Sequence, residues 1–176
     1  MPKEGGAPAG RTRLTREESR ARTRALLIEA AGKVFAERGF TAASVEEIAG
    51  LAGFSRGAFY SNFGSKDDLF LAVLDAYIDA EVESVTRTLE TNPTAEAFWE
   101  FLRARAVRRA REGRELSLLW AEFWLHVVRH PDLAPKLAAR QRAGREAIAR
   151  VIEIQCAQIG ITLPIPALDL ASVMMA

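Results

Sequence analysis

The stretch from Thr41 to Phe70, TAASVEEIAGLAGFSRGAFYSNFGSKDDLF, constrains this chain more than any other, because helix starts and stops follow one another too quickly for a single long element. Ser44 has Glu47 three residues on, the spacing of a capping box. Val45, Ile48, Ala49 and Ala52 then fall at i, i+3, i+4 and i+7, one apolar stripe of helical period. Gly53 can end that helix in the left-handed conformation. Ser55 offers a second N-cap, after which Ala58, Phe59 and Phe63 share an apolar face while Arg56, Gly57, Tyr60 and Ser61 point elsewhere. Gly64 is read as another helix stop, and Ser65 with Asp68 repeats the capping spacing at the start of a longer helix. Two short helices around a glycine turn, with a third directly after, make the layout of a helix-turn-helix DNA reader.

The outward set suits that role chemically. Arg56, near a helix N-terminus, can donate two parallel bonds to guanine or pair with phosphate. Gly57 costs a helix roughly 1 kcal/mol relative to alanine, acceptable where backbone must approach a sugar-phosphate chain closely. Tyr60 carries a hydroxyl for phosphate and a ring for a thymine methyl. Thr41, Ser44 and Lys66 flank the reader where phosphates would pass. Taken singly, Arg56 can be a solvated arginine and Tyr60 a half-buried aromatic; it is the spaced set that points to DNA.

From about residue 22 to 77 the chain resembles the DNA-binding domain of tetracycline-repressor (TetR) family transcription regulators. The resemblance rests on Ala30-Ala31-x-x-Val34-Phe35-x-x-x-Gly39-Phe40, Thr41-x-x-Ser44-Val45-x-x-Ile48-Ala49, Ala52-Gly53-x-Ser55-x-Gly57-x-Phe59-Tyr60-x-x-Phe63 and Ser65-Lys66-x-x-Leu69. It implies an all-α homodimer, with an N-terminal three-helix reader and a helical C-terminal domain for ligand binding and dimerisation. It implies a double-stranded operator with an inverted repeat, and a small-molecule effector that lowers DNA affinity, hence a repressor. It also implies DNA contacts at the positions of Thr41, Ser44, Arg56, Gly57, Tyr60 and Lys66, with Ser55, Ser61 and Asn62 contributing more variably.

Composition bounds the rest. A hydrophobic content of 49% excludes a disordered chain. No apolar run approaches the roughly 20 residues of a membrane span, no secretory signal precedes the first helix, and the single cysteine, Cys156, fits a reducing cytoplasm. The net charge of +1 argues against a bulk polyanion binder, but residues 10–24 hold six arginines against Glu17 and Glu18. Residues 1–16 are therefore expected to be a disordered basic arm able to lie along DNA. Residues 17–64 are assigned to the reader, and 65–176 to ligand binding and dimerisation.

The first helix is expected over 17–38, closed by Gly39, with Phe40 folding back on it. A helix from Asp67, about 24 residues and so roughly 36 Å long, can leave the reader as a strut and carry a signal by tilting. Thr94 caps a helix expected to reach about Arg111, with Gly113 ending it and a separate helix over 115–129 stopping at His130-Pro131. Arg103, Arg105, Arg108, Arg109, Arg111 and Arg114 read as a solvated face. A long helix follows over about 132–159, then one more from Ala167. Its apolar end at Ala176 predicts that further helices complete the dimer.

All three tryptophans lie in the segments around Phe98–Phe101 and Leu118–Val127. If those are two facing helices, Trp99, Trp120, Phe123 and Trp124 can line an apolar pocket, with Glu122, His126 or Gln155 as orienting groups. An aromatic or hydrophobic effector is the resulting expectation. Glu122, His126 and His130 share one helix face at metal-ligand spacing, but the simpler reading places the histidines at a helix C-terminus, and neither metal nor cofactor is expected. An enzyme is the first rival reading. The chain has no nucleophile-elbow, P-loop, GxGxxG or paired-cysteine motif, and Cys156 reads as a packed thiol. A protein-interaction module that kept the helical shell is the second, and Arg56, Gly57, Tyr60 and Lys66 together argue against it.

Overall fold

The computed structural model describes residues 15–91 and 94–175, without the side chains of 89 and 108–116. The described residues form seven α-helices in order: α1 Arg16–Ala42, α2 Val45–Leu51, α3 Arg56–Tyr60, α4 Lys66–Thr91, α5 Ala95–Arg129, α6 Ala134–Gln158 and α7 Ala167–Met175. A 3-10 turn, Pro131–Leu133, joins α5 to α6, and there is no strand among the described residues.

Local chemistry explains most boundaries. Thr15 opens α1 with a reciprocal capping box, its hydroxyl accepting from Glu18 N and its own N–H donating to the Glu18 carboxylate. Gly39 interrupts α1 at φ 77°, ψ 167°, a backbone region essentially closed to side chains. The expected stop at residue 38 is thus a sharp kink followed by one more turn. Ser44, Ser55, Ser65 and Thr94 each accept from the backbone N–H three residues on. Gly53 and Gly160 close their helices at φ 78° and 71°. Gly64 is not needed as a stop: α3 has already ended at Tyr60.

The largest departure from expectation is α5. Instead of two helices broken at Gly113, one helix of 35 residues runs through. A glycine inside a helix costs only about 1 kcal/mol, which the burial of a neighbouring stripe readily offsets.

The core passes without a break from the reader into α5. Leu27, Ala31, Phe35, Phe40, Ile48, Phe59, Leu69 and Phe70 form one cluster with Leu119, Phe123 and Val127 of α5. Phe70 and Phe123 stack at 3.7 Å between centroids, with Phe40 edge-on to both. A second cluster, farther from the reader, joins Val85 and Phe98 to Ile148, Ile152, Ala171 and Met174 of α6 and α7. Gly144 lets α6 cross α4 closely, since a Cβ there would lie 2.8 Å from the Ile78 methyl. Arg105 belongs here rather than on a solvated face. It is buried, paired with Glu81 of α4, and donates to the Met174 carbonyl of α7. Arg103 is exposed and pairs with Glu100, while the side chains of Arg108, Arg109, Arg111 and Arg114 lie outside the described residues.

Candidate nucleic-acid interface

The recognition helix α3 is a single capped turn whose inner side is Phe59, wholly buried, with Phe63 packed beside it. Burying that side leaves Arg56, Gly57, Tyr60 and Ser61 facing solvent. The Arg56 guanidinium lies 5.4 Å from the Tyr60 ring centroid and pairs with Glu46 of α2 at 2.8 Å. A partner with stronger negative charge, such as a phosphate row, competes directly with Glu46 for it.

Two arginines of α1 hold α3 from behind. Arg20 donates to the Ser61 carbonyl and Arg24 to the Asn62 carbonyl, with the Arg24 guanidinium 4.2 Å over the Phe63 ring. They satisfy carbonyls at the end of a helix too short to stand alone. Sequence reading placed both in a basic run but had no local signal for partners some forty residues away. The proposed arm at 1–16 lies outside the described residues except for Thr15 and Arg16.

Of the nine residues expected at DNA, Thr41, Arg56, Gly57, Tyr60 and Ser61 are exposed around α2–α3. Ser44 and Ser55, also exposed, spend their oxygens as N-caps. Asn62 turns its amide nitrogen onto the Ala58 carbonyl and Ser61 Oγ. Glu47, the expected capping-box partner of Ser44, pairs with Arg38 at 2.8 Å instead, where both partners are ionised. Lys66 departs most from its expected place. Its ammonium donates to the carbonyls of Phe40, Thr41 and Ala43 at 2.8, 3.4 and 2.9 Å and sits over the Phe40 ring. Burial pushes its pKa below the usual lysine range, with Asp67 pulling it partly back. In this position it fastens the α1–α2 junction.

That junction is also touched from α5. The Glu122 carboxylate accepts from Thr41 N at 3.3 Å and fills the space where a Gly39 Cβ would stand. One turn on, His126 Nε2 lies 2.8 Å from Asp67 Oδ1. Its ring packs on Phe40 and His130. Glu122 and His126, expected as ligand-orienting groups, thus face the reader. Among the described residues no cluster of metal-ligating side chains forms.

The aromatic pocket does not assemble as expected. Because α5 is continuous, Trp99 and Trp120 stand about 30 Å apart along one helix and cannot face each other. Trp99 and Trp124 are largely exposed, at 40% and 56%. Phe123 is wholly buried in the stack with Phe70. Gln155 lies half-buried toward the far end of α6. Trp120 alone of the five lines a half-open cavity of about 420 Å³, bounded by Leu74 and Tyr77 of α4, Ser117 of α5, Gln141 and Arg145 of α6, and Ser172 and Met175 of α7. Cys156 is buried in the second cluster, which pushes its thiol pKa up and so disfavours the thiolate.

Capped short helices presenting an arginine–tyrosine face, backed by a long-helix bundle, define a helix-turn-helix protein with an attached helical domain. Residues 27–73 match the family described as bacterial regulatory proteins, tetR family. The chain is 38% identical over 103 residues to the HTH-type transcriptional activator FasR of Mycolicibacterium smegmatis, covering 54% of this chain and 47% of that protein. It is 35% identical over 117 residues to the HTH-type transcriptional repressor NicS of Pseudomonas putida, covering 66% and 47%. A TetR-family regulator of Mesorhizobium loti superposes over 90% of this chain and 78% of its own, at 26% identity and a TM-score of 0.64. Over residues 27–73 the chain therefore carries the DNA-binding domain of the tetR family, described as bacterial regulatory proteins. It spans about half the length of these two curated relatives. Among the described residues no helix is long and apolar enough to cross a membrane.

Proposed function

We propose that this chain is a ligand-responsive regulator that binds an inverted-repeat operator as a homodimer and represses until an effector releases it. The observation that carries the reading is the exposed row Arg56, Gly57, Tyr60 and Ser61 on a helix whose other side is pinned by Phe59, Arg20 and Arg24. In this reading residues 17–64 are the reading unit and 65–176 the sensing and dimerising unit. Arg56 exchanges Glu46 for a base or phosphate, Tyr60 and Thr41 contact backbone, and the two α3 helices enter successive major grooves roughly 34–36 Å apart. Exposed apolar residues on α5, Leu118, Leu125 and Val128, offer a second copy an area to cover.

The effector site in this reading is the cavity at Trp120. Signal then has a shorter path than a tilting α4. The same stretch of α5 that walls the cavity with Ser117 and Trp120 bears Glu122, Phe123 and His126 against the reader. A ligand that shifts α5 pulls on Thr41 and Asp67, and DNA affinity falls by the difference in the ligand's affinity for the two states.

Selection of bound duplexes from random DNA at two salt concentrations tests the reading. Enrichment of an inverted repeat supports it. Strongly salt-dependent binding without enrichment reduces it to phosphate contact. A reporter driven from the recovered site decides the sign, since FasR is named an activator and NicS a repressor.

A further inference from the structure

The cavity between α4, α5, α6 and α7 has an uneven charge balance. Of the α6 arginines beside it, Arg140 binds Asp75 of α4 at 3.0 Å, and the exposed Arg150 approaches Glu146 of α6 itself at 4.0 Å. Arg145 lies between them, half-buried in the cavity wall, and no carboxylate engages it among the described residues. A guanidinium withdrawn from bulk water without a counter-charge is costly, and a ligand anion relieves that cost.

The rest of the lining says what the anion is attached to. Leu74, Trp120 and Met175 form an apolar wall, and Trp120 is held edge-on by Phe70 at 6.0 Å, which fixes its ring as a flat surface. Gln141 stands one turn before Arg145 on the same face of α6, while Tyr77, Ser117 and Ser172 add neutral hydrogen-bonding groups around the rim. Among the described lining residues Arg145 is charged and none is acidic.

We propose that this cavity takes an amphipathic organic acid, a flat apolar body against Trp120 and Met175 with its carboxylate paired to Arg145 and Gln141. This sharpens the expectation of a merely aromatic or hydrophobic effector by adding an obligatory negative charge. It depends on the regulator reading only for the consequence of binding, not for binding itself. Arg145 fits a carboxylate through two parallel N–H bonds, which lysine cannot supply.

The test is calorimetric titration of the full chain with a matched pair, 2-naphthoate and 2-naphthamide, which share shape and differ in charge. The acid is expected to bind at least tenfold more tightly than the amide. Arg145→Gln is expected to bring the two within about twofold, mainly by weakening the acid, and Arg145→Lys to retain part of the preference. Equal affinities for acid and amide in the unmodified chain overturn the proposal, as does an acid preference that survives Arg145→Gln, or the absence of binding by both at millimolar concentration. The comparison on the unmodified chain stands even where a variant folds poorly. DNA binding is measured separately: a chain that prefers the acid but selects no operator keeps this inference and loses the regulator reading.

Discussion

The two ends of the core are held together by opposite means. Near the reader the elements are short, and each is closed by side chains reaching for backbone: Ser44 and Ser55 at helix starts, Arg20 and Arg24 at the end of α3, Lys66 on three carbonyls. Beneath them lies an aromatic stack of Phe40, Phe70 and Phe123. At the far end the helices are long, cross closely at Gly144, and share a buried Arg105–Glu81 pair. The reader is thus fixed by many small polar contacts around a rigid apolar floor. The far end buries the Arg105–Glu81 pair, and a cavity lined by α4, α5, α6 and α7 lies between the two regions.

The comparison breaks most visibly at the buried pair. Arg105→Met removes the guanidinium from Glu81 and from the Met174 carbonyl and should cost about 3–5 kcal/mol, the range for breaking a buried ion pair from one side. Urea denaturation measures it, and a loss below about 1 kcal/mol would mean the pair is solvated. Next is Gly39→Ala, at a backbone conformation that costs about 1–3 kcal/mol for a side chain. It also evicts the Glu122 carboxylate, so operator affinity should fall while effector affinity in the cavity holds; both can be read by titration on one preparation.

Lys66→Met distinguishes fastening from phosphate contact. As a fastener, Lys66 should cost roughly 1–3 kcal/mol of stability on removal and leave the salt dependence of DNA binding unchanged. As a phosphate contact it would lower that slope by about one, with little effect on unfolding. Glu122→Gln keeps shape and removes charge at the α5 contact with Thr41. Its expected result is a reduced ratio between operator affinities without and with effector, at nearly unchanged stability.

The smallest effect belongs to the α1 cap, where Thr15→Ala should cost about 1 kcal/mol. Bonds from the Thr15 backbone and hydroxyl hold the Glu18 pKa below its ordinary 4.5. The folded state therefore releases that proton more readily than the unfolded chain. The carboxylate's part of the cap is complete above the ordinary carboxylate value and is lost as pH falls through the lowered one. Amide exchange at Glu17 and Glu18, compared between wild type and Thr15→Ala at neutral and acid pH, should show the difference narrow in acid to the part carried by the Thr15 hydroxyl on Glu18 N.

The readable part of this protein was the part ruled by local rules. Ser44, Gly53, Ser55 and Ser65 act on atoms three residues away or on their own φ, so spacing alone places the reader's helices and the outward set at Arg56, Gly57 and Tyr60. Thr41 through Phe70 determined the class of fold and the family for that reason. Gly113 misled because a glycine only weakens a helix locally, and whether α5 breaks depends on what packs along its length. The same holds for side chains whose partners are distant in sequence. Lys66 at the Phe40, Thr41 and Ala43 carbonyls, Arg105 against Glu81, Glu122 on Thr41 and the placing of Arg145 in the cavity wall all follow from which helices cross where. Crossing is set by the complementarity of whole surfaces, a property no short window of sequence contains.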